Sequence, residues 1–348
     1  MLRVLDLNNS TEWDRIVTSF LDYDVYYLSG YVKGFALHGD GEPLLFYCED
    51  GETRGINVVM KRDIAKAKRL VGKIDENRFF DFATPYGYGG WLIENRCSSS
   101  FFTEYFDWCQ NHSIVSEFVR FHPVLKNHVF SRGAYEIVPL GKTVSIDTTD
   151  KETIWGNFSG KNRNVIRKAV NNSVEIKQGL TEQLLDSFMD IYNQTMIKDN
   201  ADQYYFFEKP FYETLLTDLK QHATVFYAVY NCQIIASAII LFANKKLNYH
   251  LSGSLKEFQH LAPTNMLLWK AAEWGSETGC KSFHLGGGVG SSEDNLFRFK
   301  KAFFRGELCQ YHIGTKVFND KLYSFLLERA GACAEGSFFP KYRANSQG

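Results

Sequence analysis

One order of strands and helices occurs twice along this chain, and that repetition constrains its fold more than any single motif. In the second half, two apolar runs flank the turn Asn231-Cys232-Gln233 and predict a hairpin of antiparallel strands. A third strand, a helix that begins at Pro263, a closing strand and a last helix follow. These elements are predicted at Val225–Tyr230, Ile234–Phe242, Leu247–Ser252, Pro263 to Gly279, Ser282–Leu285 and Leu296–Phe304.

The first half repeats this order more faintly. Its strands are predicted at Leu44–Cys48, Gly55–Met60, Phe79–Phe82 and Ser116–Phe121, and its helix at Ser99–Gln110. The predicted fold class is therefore α/β (α+β), with two tandem domains that each contain a mixed sheet flanked by helices. We place the first domain at residues 1–145, completed by residues 315–348, and the second at residues 146–314. Two domains also suit a length of 348 residues.

Charge and composition exclude several classes of protein. The formal net charge is −1, so bulk electrostatics predict neither a nucleic-acid-binding protein nor a protein of anionic membranes, and DNA is not expected as a partner. A local basic patch stays open. No apolar run reaches the roughly 18 residues of a membrane-spanning helix, and the first residues do not form a secretory signal, so a cytoplasmic protein is expected. The seven cysteines include no CxxC pair. That argues against a disulfide framework and a zinc site, and no metal is expected.

The repeated order is that of the core of the GNAT (acyl-CoA N-acyltransferase) fold. In that fold two neighbouring strands splay apart, and the acyl donor enters the wedge between them. Backbone N–H groups at the start of the intervening helix can bind negative charge. Here that start is Leu261–Asn265, and it lacks the glycine-bearing R/Q-x-x-G-x-G/A turn of ordinary coenzyme A-binding GNAT enzymes. Asn265 is a candidate substrate-binding residue.

Several short segments resemble, in order and spacing, the FemAB (FemABX) peptidoglycan-bridge aminoacyltransferases and the wider group of BioF2-like acyltransferases. They are TPYGYGGW at 84–91, KNRNVIRKA at 161–169, YHLSGS at 249–254, APTNMLL at 262–268 and FRFKKAF at 297–303. The resemblance implies two GNAT-like domains that move an aminoacyl group from tRNA to an amine of a cell-wall precursor, without a covalent enzyme intermediate. It also implies that the chemistry lies in the second domain and the acceptor side in the first.

The resemblance implies one catalytic cation. Lys300 lies in the family's F-K-x-x-F pattern, where it would face the reaction centre or a substrate phosphate and stabilise a developing oxyanion. A solvated lysine on an amphipathic helix is the alternative. Its neighbours Arg298 and Lys301 are candidates for substrate binding. Tyr249, on the strand beside the wedge, is the second catalytic candidate, and a tyrosine of the core is the alternative there.

Further substrate-binding candidates lie in both halves. The resemblance places Lys33 and Glu94 on the acceptor side, together with Tyr88 of the TPYGYGGW segment, while surface charge is the alternative for Lys33 and Glu94. Tyr205 and Tyr212, in an aromatic segment, are candidates for a substrate wall.

Basic residues open a predicted helix after Ser159. Positive charge in the first turns of a helix opposes its dipole, so a sequence that keeps such charge can be using it to bind phosphates, those of tRNA among them. A solvated basic face explains the same pattern equally well. The residues of this candidate patch are Lys161, Arg163, Arg167 and Lys168.

Three functions remain open from the sequence. The first is aminoacyl or acyl transfer onto an amine of a cell-wall precursor or a small molecule, with aminoacyl-tRNA as the donor. The second is N-acyl transfer from acyl-CoA or an acyl carrier, which the missing glycine turn disfavours. The third is a non-catalytic binding protein that has kept the fold. In each case no cofactor is expected to be bound, because the acyl donor is a co-substrate.

Overall fold

The computed structural model describes residues 1–95, 100–332 and 338–344. The predicted first residue of one helix, Ser99, and two of the cysteines, Cys97 and Cys333, lie outside the described residues. The chain divides into two compact units. Unit 1 contains Met1–Leu140 and Tyr311–Gly348, and unit 2 contains Gly141–Gln310.

The regular elements of the described residues are numbered in chain order. Up to the boundary after Leu140 they are β1 (Leu2–Leu5), α1 (Ser10–Thr18), α2 (Ser29–His38), β2 (Glu42–Asp50), β3 (Thr53–Asp63), β4 (Phe80–Ala83), β5 (Leu92–Glu94), α3 (Thr103–Asn111) and β6 (Ile114–Arg120), and β7 (Glu136–Asp147) contains that boundary. Unit 2 continues with α4 (Lys151–Asn157), α5 (Gly160–Asn171), β8 (Glu175–Gly179), α6 (Glu182–Lys198), α7 (Lys209–Thr217), β9 (Ala223–Tyr230), β10 (Gln233–Ala243), β11 (Lys246–Ser254), α8 (Pro263–Glu277), β12 (Ser282–Gly286) and α9 (Asn295–Lys301). The last elements are β13 (Cys309–Val317), which contains the second boundary, and α10 (Asp320–Ala330).

The sheet of unit 1 has the order β1-β2-β3-β4-β6-β13, and β5 also pairs with β3. Only the β4–β6 pair within this order is parallel, with Ala83 opposite Phe118, and the other neighbours are antiparallel. The core beside this sheet is aromatic. Phe46, Phe82, Trp91, Tyr105 and Phe121 are fully buried in it. The high aromatic content of the sequence is thus used mainly for packing.

The sheet of unit 2 has the order β8-β9-β10-β11-β12-β7, and again one pair, β11–β12, is parallel. Both of its hairpins turn through two residues with positive φ: Asn231 and Cys232, then Asn244 and Lys245. Such turns match the right-handed twist of the flanking strands, and asparagine adopts the left-handed region more readily than most residues. The hairpin predicted across Asn231-Cys232-Gln233 is confirmed, and the predicted third strand pairs with β10 in a second hairpin.

The two units share one topology. In each, three antiparallel strands lead to a fourth, a helix follows, a fifth strand pairs parallel with the fourth, and a sixth pairs antiparallel with the fifth. The predicted duplication of an α/β unit, each a mixed sheet with helices, is therefore confirmed. Within the described ranges no helix combines the length and the apolar character needed to cross a bilayer.

Strands β11 and β12 form the wedge that the sequence predicts for unit 2. They pair only through Lys246, Leu247 and Asn248 of β11. Immediately afterwards the register of β11 slips against β10, because Leu251 pairs with Ile239 while Tyr249 pairs with Ile240. His250 is therefore the extra residue of a β-bulge, a feature that bends a strand and re-aims its side chains. Helix α8 connects the two diverging strands.

Candidate active site

Lys300 is the most unusual charged residue of unit 2. It lies in α9, its side chain is only 9% exposed, and its Nζ donates a hydrogen bond to the carbonyl oxygen of Gly287 (2.7 Å). No carboxylate of the described residues forms an ion pair with it, although the more distant Asp294 favours its charged form. Burial lowers the pKa of Lys300 to about 8. A buried ammonium without a counter-ion is costly, and such a group is a strong candidate for function.

The glycine loop after β12, Gly286 to Gly290, accepts the hydrogen bond of this lysine. Gly286 has φ +77°, and a Cβ on Gly288 would lie 2.2 Å from the carbonyl oxygen of Ser292 and 2.4 Å from Oδ1 of Asp294. Asp294 also caps α9, because Oδ1 accepts from the N–H of Phe297 (2.8 Å) and Oδ2 accepts from that of Val289 (3.1 Å). Loop and helix are thus joined by one carboxylate. The loop is a strand-to-helix turn, and its glycines supply the positive φ that it needs at Gly286 and Gly290.

Tyr249 and His250 lie where β11 leaves β12. The hydroxyl of Tyr249 donates to Oγ of Ser252 (2.5 Å), and its half-buried ring packs against the core of unit 2. Burial raises the pKa of Tyr249 to about 12 and lowers that of His250 to about 3. Near neutral pH, Tyr249 is therefore a neutral hydrogen-bond donor and His250 an uncharged imidazole. His250 was not among the predicted residues, because a bulge is a property of strand pairing.

Helix α8 follows β11 and leads to β12, the two strands that form the wedge. Ala262, with φ +55°, precedes it and Pro263 occupies its first turn, and no side chain caps its N–H groups. Nδ2 of Asn265 donates to Oδ1 of Asn162 (2.8 Å), which joins the first turns of α8 and α5. Asn265 therefore positions a helix start as well as being a candidate for substrate contact.

A basic cavity of about 980 Å³ lies within unit 2. It brings together three of the predicted residues, Lys161, Arg298 and Lys301, with two that the sequence did not single out, Lys142 and Arg305. The remaining residues of the predicted patch lie elsewhere. Their positions are as follows: Arg163 donates to the carbonyl oxygen of Phe158 at the end of α4 (2.6 Å), Arg167 lies over the ring of Trp155 (5.4 Å), and Lys168 is exposed on α5.

Tyr88, one of the acceptor-side candidates of unit 1, lies in an aromatic cluster. Tyr88 contacts the rings of Tyr26, Tyr311 and His122 at centroid distances of 5.7, 5.6 and 5.7 Å. Beneath them the buried His122 bonds through Nε2 to Oδ2 of Asp24 (3.0 Å). Lys33 is half-buried in α2. His122, Asp24 and Tyr311 were missed because they meet only through long-range folding.

Arg120 fixes the loop that carries Tyr88. Its guanidinium donates to the carbonyl oxygens of Pro85 (2.9 Å) and Gly87 (3.2 Å). Arg120 was also missed, since nothing in the sequence of β6 marks it as a partner of the TPYGYGGW segment.

Other candidates have structural partners. Glu94 forms an ion pair with Arg54 (2.6 Å), and its Oε1 accepts from the N–H of Leu21 (2.7 Å), so its carboxylate fixes the chain before α2. Tyr212 is 1% exposed in the core beside α6, and its hydroxyl has no hydrogen-bond partner among the described residues. Tyr205 is exposed. The structure brings neither tyrosine to Lys300.

Comparison with known proteins agrees with this geometry. Residues 160–301 match the sequence profile of the family described as "Acetyltransferase (GNAT) domain". No curated protein matches the chain at a significant level. A crystal structure of FemX is similar in fold, with a TM-score of 0.67 and 13% identity, over 93% of this chain and 99% of that one.

Two further solved structures share the fold. One is the C-terminal domain of a putative lysylphosphatidylglycerol synthetase from Agrobacterium fabrum, with a TM-score of 0.57 and 14% identity over 94% of this chain and 96% of that one. The other is L-PGS from Bacillus licheniformis, with a TM-score of 0.54 and 12% identity over 85% and 90%. At these identities the likeness concerns the fold.

The GNAT domain of residues 160–301 shows that this chain is an acyltransferase. Over nearly its whole length the chain shares the fold of FemX.

Proposed function

We propose that this protein transfers an aminoacyl or acyl group from a carrier to the amine of a cell-wall precursor or a related acceptor. The observation that carries the proposal is Lys300, a buried ammonium with one hydrogen bond, to Gly287, and no ion pair among the described residues. An ammonium has three N–H donors, so two remain for a substrate.

The chemistry follows from that cation. The acceptor amine attacks the carbonyl carbon of the donor, a C–N bond forms, and the carbonyl oxygen becomes an oxyanion. The ammonium of Lys300 stabilises this charge in a water-poor site, and removal of one such donor typically costs about 3–4 kcal/mol. The bond to the carrier then breaks, and the proton lost by the amine neutralises the leaving oxygen or sulfur. Holding both substrates together supplies much of the remaining acceleration.

The carrier we favour is aminoacyl-tRNA. The fold likeness to FemX covers nearly the whole chain, and α8 lacks the glycine turn of ordinary coenzyme A-binding enzymes. Acyl-CoA is the second candidate, and one observation favours it: the first turn of α8 has no side-chain cap, so its N–H groups are open to a pyrophosphate.

The acceptor side belongs to unit 1 in this proposal. Lys33 would contact a phosphate or carboxylate of the acceptor, and Tyr88 would pack against it. Support comes from the aromatic cluster around Tyr88 and from Arg120, which holds the loop in place.

The test is product formation by the purified full chain. Aminoacyl-tRNA plus a UDP-linked muramyl peptide is one arm, and a panel of acyl-CoA donors with the same acceptor and simple amines is the other, each read by mass spectrometry. A mass increase of one aminoacyl or acyl group on the amine supports the proposal, and the arm that responds names the carrier. Absence of product from wild-type protein in every arm would contradict transfer to these acceptors.

A further inference from the structure

The sequence singles out three residues of the basic cavity of unit 2 separately, and the structure joins them with Lys142 and Arg305 in one site. We propose that this cavity binds the phosphate groups of the acyl donor's carrier. This inference rests on the proposed function, because it presumes a carrier-bound donor. The cavity is open and about 980 Å³ in volume. Its lining residues are Lys142, Ser159, Lys161, Arg298, Lys301, Ala302, Phe304, Arg305, Gly306, Glu307, Leu308 and Gln310.

The charge of the cavity contrasts with that of the chain. It is lined by five cations and one carboxylate, Glu307, whereas the whole chain has a formal net charge of −1. None of the five cations forms an ion pair within the part of the chain that the structure describes. Like charges held in one concave surface repel each other and attract anions. An ordinary solvated face would carry interspersed acids, and the chain as a whole has almost equal numbers of basic and acidic residues, 39 and 40.

Helix α9 separates this cavity from Lys300. Phe297 and Lys300 are buried on one side of the helix, and Arg298 and Lys301 are exposed and line the cavity. A helix with its side chains is about 10 Å across. A carrier whose phosphates lie in the cavity could therefore place its acylated end near Lys300 only if it is extended, as an RNA 3′ end or coenzyme A is.

The start of α5 adds donors to the same cavity. Ser159 lines it and caps α5, since its Oγ accepts from the N–H of Asn162 (3.2 Å) and its own N–H donates to the carbonyl oxygen of Ala302 (2.9 Å). The first turn of α5 is also the positive end of its helix dipole, which favours anions. The cations and the helix start thus favour the same ligand chemistry, a phosphate ester.

Binding of two phosphate-bearing probes tests the inference. One is a labelled RNA oligonucleotide ending in CCA, measured by fluorescence anisotropy, and the other is coenzyme A, measured by calorimetry. The variant is the double charge reversal Lys161→Glu with Lys301→Glu in the full chain. The control is Lys281→Glu, an exposed lysine outside the cavity that forms no ion pair among the described residues. Thermal melts establish that both variants fold.

We expect the double reversal to weaken at least one probe by roughly tenfold or more, with the control within about twofold of wild type. For the RNA probe, the slope of log K against log salt should become less negative, since each lost phosphate contact removes about 0.7 for single strands. If the double reversal weakens only RNA binding, the cavity binds a phosphodiester backbone. If it weakens only coenzyme A binding, the cavity binds that carrier. If wild type binds neither probe, or if a folded double variant binds both like wild type, the inference is wrong.

These outcomes remain distinct from those of the proposed function. Lys300→Met should lower kcat by about 10²–10³ and leave probe binding within about twofold of wild type, because Lys300 does not line the cavity. If the double reversal binds both probes normally while Lys300→Met is inactive, the cavity assignment is wrong and the proposed transferase function is still supported. If the double reversal loses probe binding but the wild type forms no product with any donor, the cavity assignment stands and the proposed transfer reaction is wrong.

Discussion

At the scale of single residues, the site depends on a buried charge that lowers the stability of the folded protein. Lys300 is buried, its ammonium has one hydrogen bond, and burial lowers its pKa to about 8 from an ordinary 10.5. The same burial makes it useful, because a cation in a water-poor site stabilises an oxyanion far more than a solvated one does. Function and stability therefore pull in opposite directions at this position.

This opposition gives the first prediction, a pair of pH profiles. The lysine must be protonated to act, so turnover should fall as pH rises through about 8. Between about 8 and 10.5 the unfolded chain binds more protons than the folded one, so the contribution of Lys300 to the free energy of unfolding should improve as pH rises through the same window. The measurements are kcat against pH and urea unfolding at pH 7 and 10.

Lys300→Met is the matched variant for that pair. It should reduce kcat by about 10²–10³ while raising the free energy of unfolding at pH 7 by an amount on the order of 3 kcal/mol, the cost of the lowered pKa. This gain should shrink by pH 10. A variant that keeps wild-type kcat, or a wild-type profile that rises through pH 8, would contradict the role given to this ammonium.

At the scale of elements, α9 and the glycine loop before it act as one part, joined by Asp294. The second prediction concerns that residue. Asp294→Ala should lower the free energy of unfolding by about 1–2 kcal/mol, since the helix loses its N-cap. It should also move the alkaline fall in turnover to lower pH, because the Asp294 carboxylate favours the charged form of Lys300 and raises its pKa.

Asp294→Asn separates the two effects of that change. The amide oxygen can still cap α9, so stability should largely return, whereas the negative charge is gone and the shift in the pH profile should persist. Recovery of both would mean that the carboxylate acts on Lys300 only through structure.

The third prediction concerns the loop itself. A Cβ on Gly288 would lie 2.2 Å from the carbonyl oxygen of Ser292, so Gly288→Ala must displace the loop that accepts the hydrogen bond of Lys300. We expect kcat to fall at least tenfold. Gly156→Ala is the control, since a Cβ there meets nothing within 4 Å and alanine favours the helix α4. Equal kcat for the two variants would show that the loop tolerates displacement.

Elements also mark how far sequence reasoning extends. The hairpins of unit 2 follow from local chemistry, because Asn231 and Asn244 begin turns that match the strand twist. The bulge at His250 does not, since it depends on how β11 aligns with β10. The basic cavity was only partly foreseen for the same reason: Lys161 and Lys301 are far apart in sequence, and Lys142 and Arg305 carry no local mark of function.

At the scale of the whole molecule, the duplication was the most predictable property. The identity of the strand that completes each sheet was the least predictable. Each unit repeats three antiparallel strands, a fourth, a helix and a parallel fifth. The hydrophobic pattern predicts the order from the second strand of each unit onward, but it misses the first strands, β1 and β8. The sixth strand pairs antiparallel with the fifth in both, yet it is β13 in unit 1 and β7 in unit 2. Hydrophobic patterns show where strands lie but do not reveal which distant strand pairs with which, so only the structure identifies these two as equivalents.

The fourth prediction concerns a division of task between the two units. The described part of unit 1 holds the aromatic cluster around Tyr88, whereas Lys300 and the basic cavity belong to unit 2. Lys33→Met, in unit 1, should raise the KM for the acceptor about tenfold, roughly the value of one charged contact. It should leave kcat and the KM for the donor near wild type.

Steady-state kinetics with each substrate varied in turn measures this division. The comparison variant is Lys66→Met, an exposed lysine of the same unit outside the cluster, which should change neither constant. Equal rises in both KM values for Lys33→Met, or a fall in kcat with no change in the acceptor KM, would assign this lysine to something other than acceptor binding. The acceptor side would then have to be sought away from α2, among the residues that Arg120 and His122 hold in place.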